Sequence, residues 1–120
     1  MNESTEEGIC ILYEPITKVE AKTIGAPWYA EMVKGVVDIE KGIIALGGEY
    51  HMDANVILVG RGSSQSDVWG FNVYPDRAGD DWIEYTSLIN IRPALGNKSM
   101  LVEDSSIQDI MRAHIERLIL

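Results

Sequence analysis

Cysteine and histidine are scarce. With one cysteine and two histidines among 120 residues, the chain can form no internal disulfide, and a closed zinc site is nearly excluded. The single thiol, Cys10, fits a reducing cytoplasm. Basic side chains are also few. Ten Lys and Arg stand against nineteen Asp and Glu, a formal net charge of −9. No local basic cluster offsets that balance, so a nucleic-acid partner is not expected. Long apolar runs are missing. The run from Val56 to Val59 stops after four residues, far short of the ~20 that span a bilayer, so no membrane partner is expected either. No basic segment leads into an apolar core at the N-terminus, as a signal peptide requires.

What remains is ordinary globular material. Hydrophobic residues make up 46% and charged residues 24%, enough apolar surface to favour a packed core over disorder. At this length one domain is expected, able to hide roughly two-thirds of its unfolded surface. Residues 1–8, polar and acidic, read as a disordered leader, leaving residues 9–120 as a single domain.

Ile9 to Tyr13 is β-prone and stops where Glu14 meets Pro15. Thr17 and Glu20 have capping-box spacing and predict a short helix from Lys18. Gly25-Ala26-Pro27 breaks it, and Pro27 suits the start of a second helix carrying Trp28, Tyr29, Met32 and Val33, with Gly35 as its stop. Val36 to Ile39 and Ile43 to Leu46 flank Glu40-Lys41-Gly42 and predict a hairpin, although residues 36, 39, 40, 43 and 44 also fit a helical face. Asn55 to Val59 reads as a strand ended by Gly60-Arg61-Gly62. A longer hairpin follows, Val68 to Tyr74 against Trp82 to about Ile91, with Asn72 opposite Glu84 and Val73 opposite Ile83. Alternation then turns Trp69, Phe71, Val73, Ile83 and Tyr85 inward, and Gly70, Asn72, Tyr74, Glu84, Thr86, Asn90 and Arg92 outward. Ser105 and Gln108 suggest a capping box for the last helix. Its apolar face runs from Ile107 through Met111 and Ile115 to Ile119. The fold class is therefore α+β: a twisted antiparallel sheet of about five or six strands, with an N-terminal helix pair and a C-terminal helix on one face.

Two polar groupings stand out. In an extended chain Glu49, His51 and Asp53 would share one face at ~7 Å intervals. Two carboxylates about an imidazole can hold a divalent metal or poise a general base, so these three are both the catalytic and the metal-ligand candidates. A solvated strand face has the same period-two polarity. The second grouping is the outer hairpin face, where Asn72, Glu84, Asn90 and Arg92 are directional groups suited to a polar or anionic ligand. Gly70 beside them leaves room for a ligand or another backbone. Ordinary exterior charges and loop-satisfying asparagines would look alike. His114 falls on an apolar stripe and reads as a core histidine. The serines at 63, 64 and 66 lack a nucleophile-elbow context, and Gly60-Arg61-Gly62 is no phosphate loop. No motif calls for a cofactor.

Taken as a set, Val36-Val37-Asp38-Ile39-Glu40, Gly47-Gly48-Glu49 with His51 and Asp53, Trp69-Gly70-Phe71-Asn72-Val73-Tyr74-Pro75, Ile89-Asn90-Ile91-Arg92-Pro93 and Glu103-Asp104 resemble a family of short prokaryotic proteins known only as a domain of unknown function. The likeness covers about residues 9 to 120. It implies a stand-alone cytoplasmic domain and brings no activity with it.

The function that these features favour is a non-enzymatic binding or interaction module. Its polar hairpin face and the bend from Gly47 to Asp53 would hold a small polar ligand or a protein partner. The alternative is a small, metal-assisted, hydrolase-like enzyme centred on Glu49, His51 and Asp53. The apolar tip Leu118-Ile119-Leu120 points to a homodimer through the C-terminal helix.

Overall fold

The β-branched runs on either side of Gly42 set the centre of the molecule. In the computed structural model, which describes residues 1–120, they form β3 (Val33–Asp38) and β4 (Ile43–Leu46), paired antiparallel from Gly35↔Leu46 to Asp38↔Ile43. Asp38 closes the turn. Its Oδ1 accepts from the amides of Glu40 and Lys41, both at 2.9 Å, and its Oδ2 from the Ser63 hydroxyl at 2.6 Å. Around this hairpin lie β1 (Glu3–Ser4), β2 (Cys10–Leu12), β5 (Val68–Val73) and β6 (Ile83–Glu84). The six strands run in the order β1-β2-β4-β3-β5-β6, every neighbour antiparallel. Three helices complete the α+β fold: α1 (Lys18–Gly25), α2 (His51–Gly60) and α3 (Ser105–Leu118).

Both faces of the sheet are buried. On one, Leu12, Val37, Ile44, Leu46, Phe71 and Val73 pack with Ala21 of α1 and with Met111, Ile115 and Leu118 of α3. On the other, Ile11, Val36, Ala45 and Val68 pack with Ala54 and Leu58 of α2. Period-two alternation sorts these sets, since neighbours such as Val36 and Val37 point to opposite faces. The N-terminal and C-terminal helices, α1 and α3, thus lie on one face of the sheet, as the sequence led us to expect, and α2, which the sequence did not disclose, covers the other.

Four expectations change. The helix pair is a single helix. The capping box of α1 forms, with the Glu20 amide 3.0 Å from the Thr17 hydroxyl and the Thr17 amide 3.2 Å from the Glu20 carboxylate, but residues 27–32 turn and Val33 enters β3 opposite Val73. Gly35 is not a helix stop but the place where Phe71 packs: a Cβ there would lie 2.5 Å from the Phe71 ring. Residues 55–59 belong to α2 rather than to a strand. Its buried residues His51, Ala54, Asn55 and Leu58 stand at helical offsets. The stretch assigned to a loose leader supplies β1, which pairs with β2 through Glu3↔Ile11 and Ser4↔Cys10. Lastly, the hairpin keeps its expected register, Asn72↔Glu84 and Val73↔Ile83, but its second arm is only two residues long.

That arm is short because side chains replace it. Asn90, fully buried, accepts from the Gly70 amide at 2.8 Å and donates to the Gly70 carbonyl at 3.0 Å. It satisfies the open edge of β5 as a strand neighbour would. A Cβ on Gly70 would lie 2.5 Å from that of Ser87, so the close approach expected at this glycine is made by the chain's own 84–90 segment.

Candidate functional site

Lys34 and Asn72 are directly opposed on β3 and β5, on the face that α2 covers. Gly47 and Gly48, with φ of +110° and +100°, turn the chain out of β4, and the Gly47 amide donates to the Lys34 carbonyl at 2.7 Å. These turns deliver the start of α2 to the Lys34–Asn72 pair.

His51, the first residue of α2, is buried and donates from Nε2 to the Phe71 carbonyl at 2.8 Å. A carbonyl can only accept, so the neutral ring carries its proton on Nε2 and offers Nδ1 as an acceptor. Burial pulls the His51 pKa below its ordinary value, and the nearby Lys34 ammonium pulls the same way; the bond to Phe71 and the Asn72 side chain oppose them. Asn72 donates from Nδ2 to a Glu84 carboxylate oxygen at 3.3 Å and to the Thr86 carbonyl at 3.4 Å. The same Glu84 oxygen accepts from the Tyr74 hydroxyl at 2.9 Å. Asn72 Oδ1 is buried and has no hydrogen-bond partner.

Above this polar floor lies a cleft of about 480 Å³. Its walls are Met32, Met52, Met100, Tyr50, Leu88 and Ile89, with Thr86 and Ser87 at one side. Lys34 is half-buried in it and makes no ion pair; its ammonium lies 5.2 and 5.8 Å from the Tyr29 and Tyr50 rings. Tyr50, the N-cap of α2, supplies no side-chain cap; its carbonyl accepts from the Asp53 amide at 3.1 Å, which leaves the amides of His51 and Met52 without an intrahelical acceptor.

Several of the residues singled out from the sequence lie elsewhere. Because α2 is a helix, His51 and Asp53 diverge by about 200° around its axis. Glu49 and Asp53 line a separate, acidic cleft with Glu7 and Trp28, and no three His, Cys, Asp or Glu side chains converge on a metal position. Glu84 reaches the cleft only through Asn72. Asn90 is a strut, as described, and also donates to the Met100 carbonyl at 3.1 Å. Arg92 donates to the Val68 carbonyl and lies 4.8 Å from the Trp69 ring, with Nη1 buried and unpartnered. Burial holds its pKa below the usual arginine value. Asn97 is a loop hub, donating to the carbonyls of Asn90, Ser99 and Leu101. His114 packs on α3 with Nε2 3.2 Å from the Ile39 carbonyl. The apolar chain end is largely covered by its own fold: Leu118 and Ile119 are buried and Ile119 bridges to Ile16.

Of the expected residues, the structure thus brings together His51 and Asn72, with Glu84 behind them. Sequence reasoning missed Lys34 and the three methionines. Lys34 occupies a polar slot between apolar strand neighbours, a signal that the helix reading of 27–35 concealed. The methionines, at positions 32, 52 and 100, share no sequence spacing.

A family model described as "Protein of unknown function (DUF5674)" matches residues 10–118. No curated protein and no solved structure matches the chain.

Proposed function

The chain belongs to this family of unknown function, since the match spans nearly all of it, and we propose that the protein is a non-enzymatic binding module. Its ligand has an apolar body and a polar head, seated in the cleft at the start of α2. The observation that carries this reading is a polar floor with spare capacity, the unpaired Lys34 and Asn72 Oδ1 beside His51, under methionine-rich walls. Thioether side chains are flexible and polarisable, which suits a surface that must shape itself to a guest. A cleft of this size falls in the usual range for small-ligand sites.

The enzymatic reading has less support. His51 spends Nε2 on a main-chain carbonyl, and the Ser87 hydroxyl accepts from the Ile89 amide at 3.2 Å, so no nucleophile–base pair is formed. The Glu49/His51/Asp53 metal set is not assembled. The unpaired Cys10 thiol supports a reducing cytoplasm as the working compartment. No helix is long and apolar enough to cross a membrane.

8-Anilinonaphthalene-1-sulfonate, an apolar body with one anionic group, is a direct probe. Its fluorescence rises on adding the folded protein. Met52→Glu or Leu88→Glu, both at exposed wall positions, weakens its binding roughly tenfold without lowering Tm. Emission that neither substitution changes overturns the assignment of the cleft.

A further inference from the structure

We propose that the cleft recognises an apolar residue bearing a free carboxylate and an acylated nitrogen, the chemistry shared by an N-acyl amino acid and the C-terminal residue of a peptide. This inference rests on the binding reading above and names the ligand class for the same site.

The carboxylate follows from two sources of positive potential at one place. Lys34 is half-buried and without a counter-ion in a chain of net charge −9. Carboxylates are therefore plentiful on this protein, yet none pairs with this ammonium. Beside it the ten-residue α2 begins with no side-chain cap; the Asp53 amide is taken by the Tyr50 carbonyl, and the remaining amides of His51 and Met52 with the helix dipole favour an anion there. The one acid in that first turn, Asp53, lines the separate acidic cleft instead.

The acylated nitrogen follows from Asn72. Its Nδ2 is already engaged by Glu84 and Thr86, which fixes the orientation of the amide and leaves Oδ1 as an acceptor. The residue is 8% exposed and Oδ1 has no partner, a deficit that only a donor can repair. A neutral amide N–H fits better than an ammonium, because Lys34 stands opposite and its charge is already felt at His51. Opposed side chains on neighbouring strands have Cβ atoms about 4.5–5.5 Å apart. Lys34 and Asn72 thus present the two groups from paired positions on one face of the sheet. Neighbouring side chains shield Oδ1 from water; Met52 and Met100, unbranched and partly exposed, can turn aside to admit the donor. The apolar side chain of the ligand then lies among Met32, Leu88 and Ile89.

The test is calorimetric titration, with ¹⁵N–¹H spectra as the second readout, using N-acetyl-L-leucine, N-acetyl-L-leucinamide and free L-leucine. N-acetyl-L-leucine is expected to bind and to move the Lys34, His51 and Asn72 signals. The amide and the free amino acid each bind at least roughly tenfold more weakly. Lys34→Arg retains binding, while Lys34→Met and Asn72→Leu, which removes the Oδ1 acceptor, lose it in folded protein, as judged by dispersed spectra. A short peptide ending in Ala-Leu with a free carboxylate separates the two sources. Binding roughly tenfold tighter than N-acetyl-L-leucine identifies a protein C-terminus, and equal binding a small N-acyl amino acid. Equal affinity for acid and amide, or no response to about 10 mM N-acetyl-L-leucine, overturns the proposal. If the naphthalene sulfonate still binds in that case, the cleft remains a binding site and only the ligand class falls; if neither binds, both readings fall.

Discussion

His51 is buried as a neutral ring, and this ties stability to pH in a definite direction. Its pKa in the folded chain lies below the ordinary 6.5, with burial the largest cause. Between the two values the unfolded chain holds the proton and the folded chain does not, so stability rises with pH. The contribution is complete above about 6.5 and is lost as pH falls through the folded value. The urea midpoint of the wild type is therefore expected to be lower at pH 5.5 than at pH 7.5, and His51→Gln to flatten that step. The carboxyls held low by hydrogen bonds, Glu103 and Asp104, lose their share only in more acidic solution. A step of equal size in wild type and variant would show that another group titrates. Asn90 permits a second residue-level test. Asn90→Ala strips partners from the buried main chain of Gly70, and should cost about 3 kcal/mol in urea unfolding. A loss under about 0.5 kcal/mol would mean that the edge of β5 is not held by this side chain.

Among the elements, the contrast between Gly60 and Gly70 separates open from crowded positions. A Cβ at Gly60, the last residue of α2, meets nothing within 4 Å. Gly60→Ala should stabilise the protein by about 0.5–1 kcal/mol. Gly70→Ala drives a methyl into Ser87 and should destabilise by about 1–3 kcal/mol, with the amide signals of Thr86–Ile89 shifting as the cleft wall moves. Equal effects would mean that the 84–90 segment yields freely. The same elements show what the sequence disclosed. The hairpin about Gly42, the register of Asn72 with Glu84 and the cap of α1 were legible because each rests on neighbouring residues or strict alternation. α2 was not, because Met52, Val56 and Val59 are apolar yet lie on its exposed side, which blurs the helical period. Misreading α2 as strand assembled the Glu49/His51/Asp53 trio, and misreading 27–35 as helix hid Lys34. The site was therefore half legible. Its strand residue Asn72 was found by alternation, and His51 was picked out as part of a trio with Glu49 and Asp53 that the helix does not bring together. Lys34 and the methionine walls depend on tertiary packing that no local pattern carries.

Across the whole molecule, the segment from Tyr13 to Ile16 is clasped by both ends of the chain. The Asn2 side chain accepts from the amides of Tyr13 and Glu14 at 2.8 and 2.9 Å. From the other side, the Ile16 amide donates to the Leu118 carbonyl at 2.9 Å and the Leu120 amide to the Ile16 carbonyl at 2.8 Å. Ile119 is 1% exposed and belongs to the same core as Ile16, Ala21 and Leu118. The apolar end that a second copy was expected to cover is thus filled mostly from within, with only Leu120 left exposed. Deleting Ile119 and Leu120 empties a core position and frees the main chain ahead of α1, so it should cost about 2–5 kcal/mol. Asn2→Ala, at the solvent-exposed side of the clasp, should cost about 1 kcal/mol. The dependence on protein concentration discriminates between the two ways of covering that end. If Leu118 and Ile119 are held within one chain, the urea midpoints of wild type and truncated protein stay fixed over a hundredfold range of concentration. If a second copy covers them, the wild-type midpoint climbs with concentration, because association stabilises the folded state by mass action, and truncation abolishes the climb.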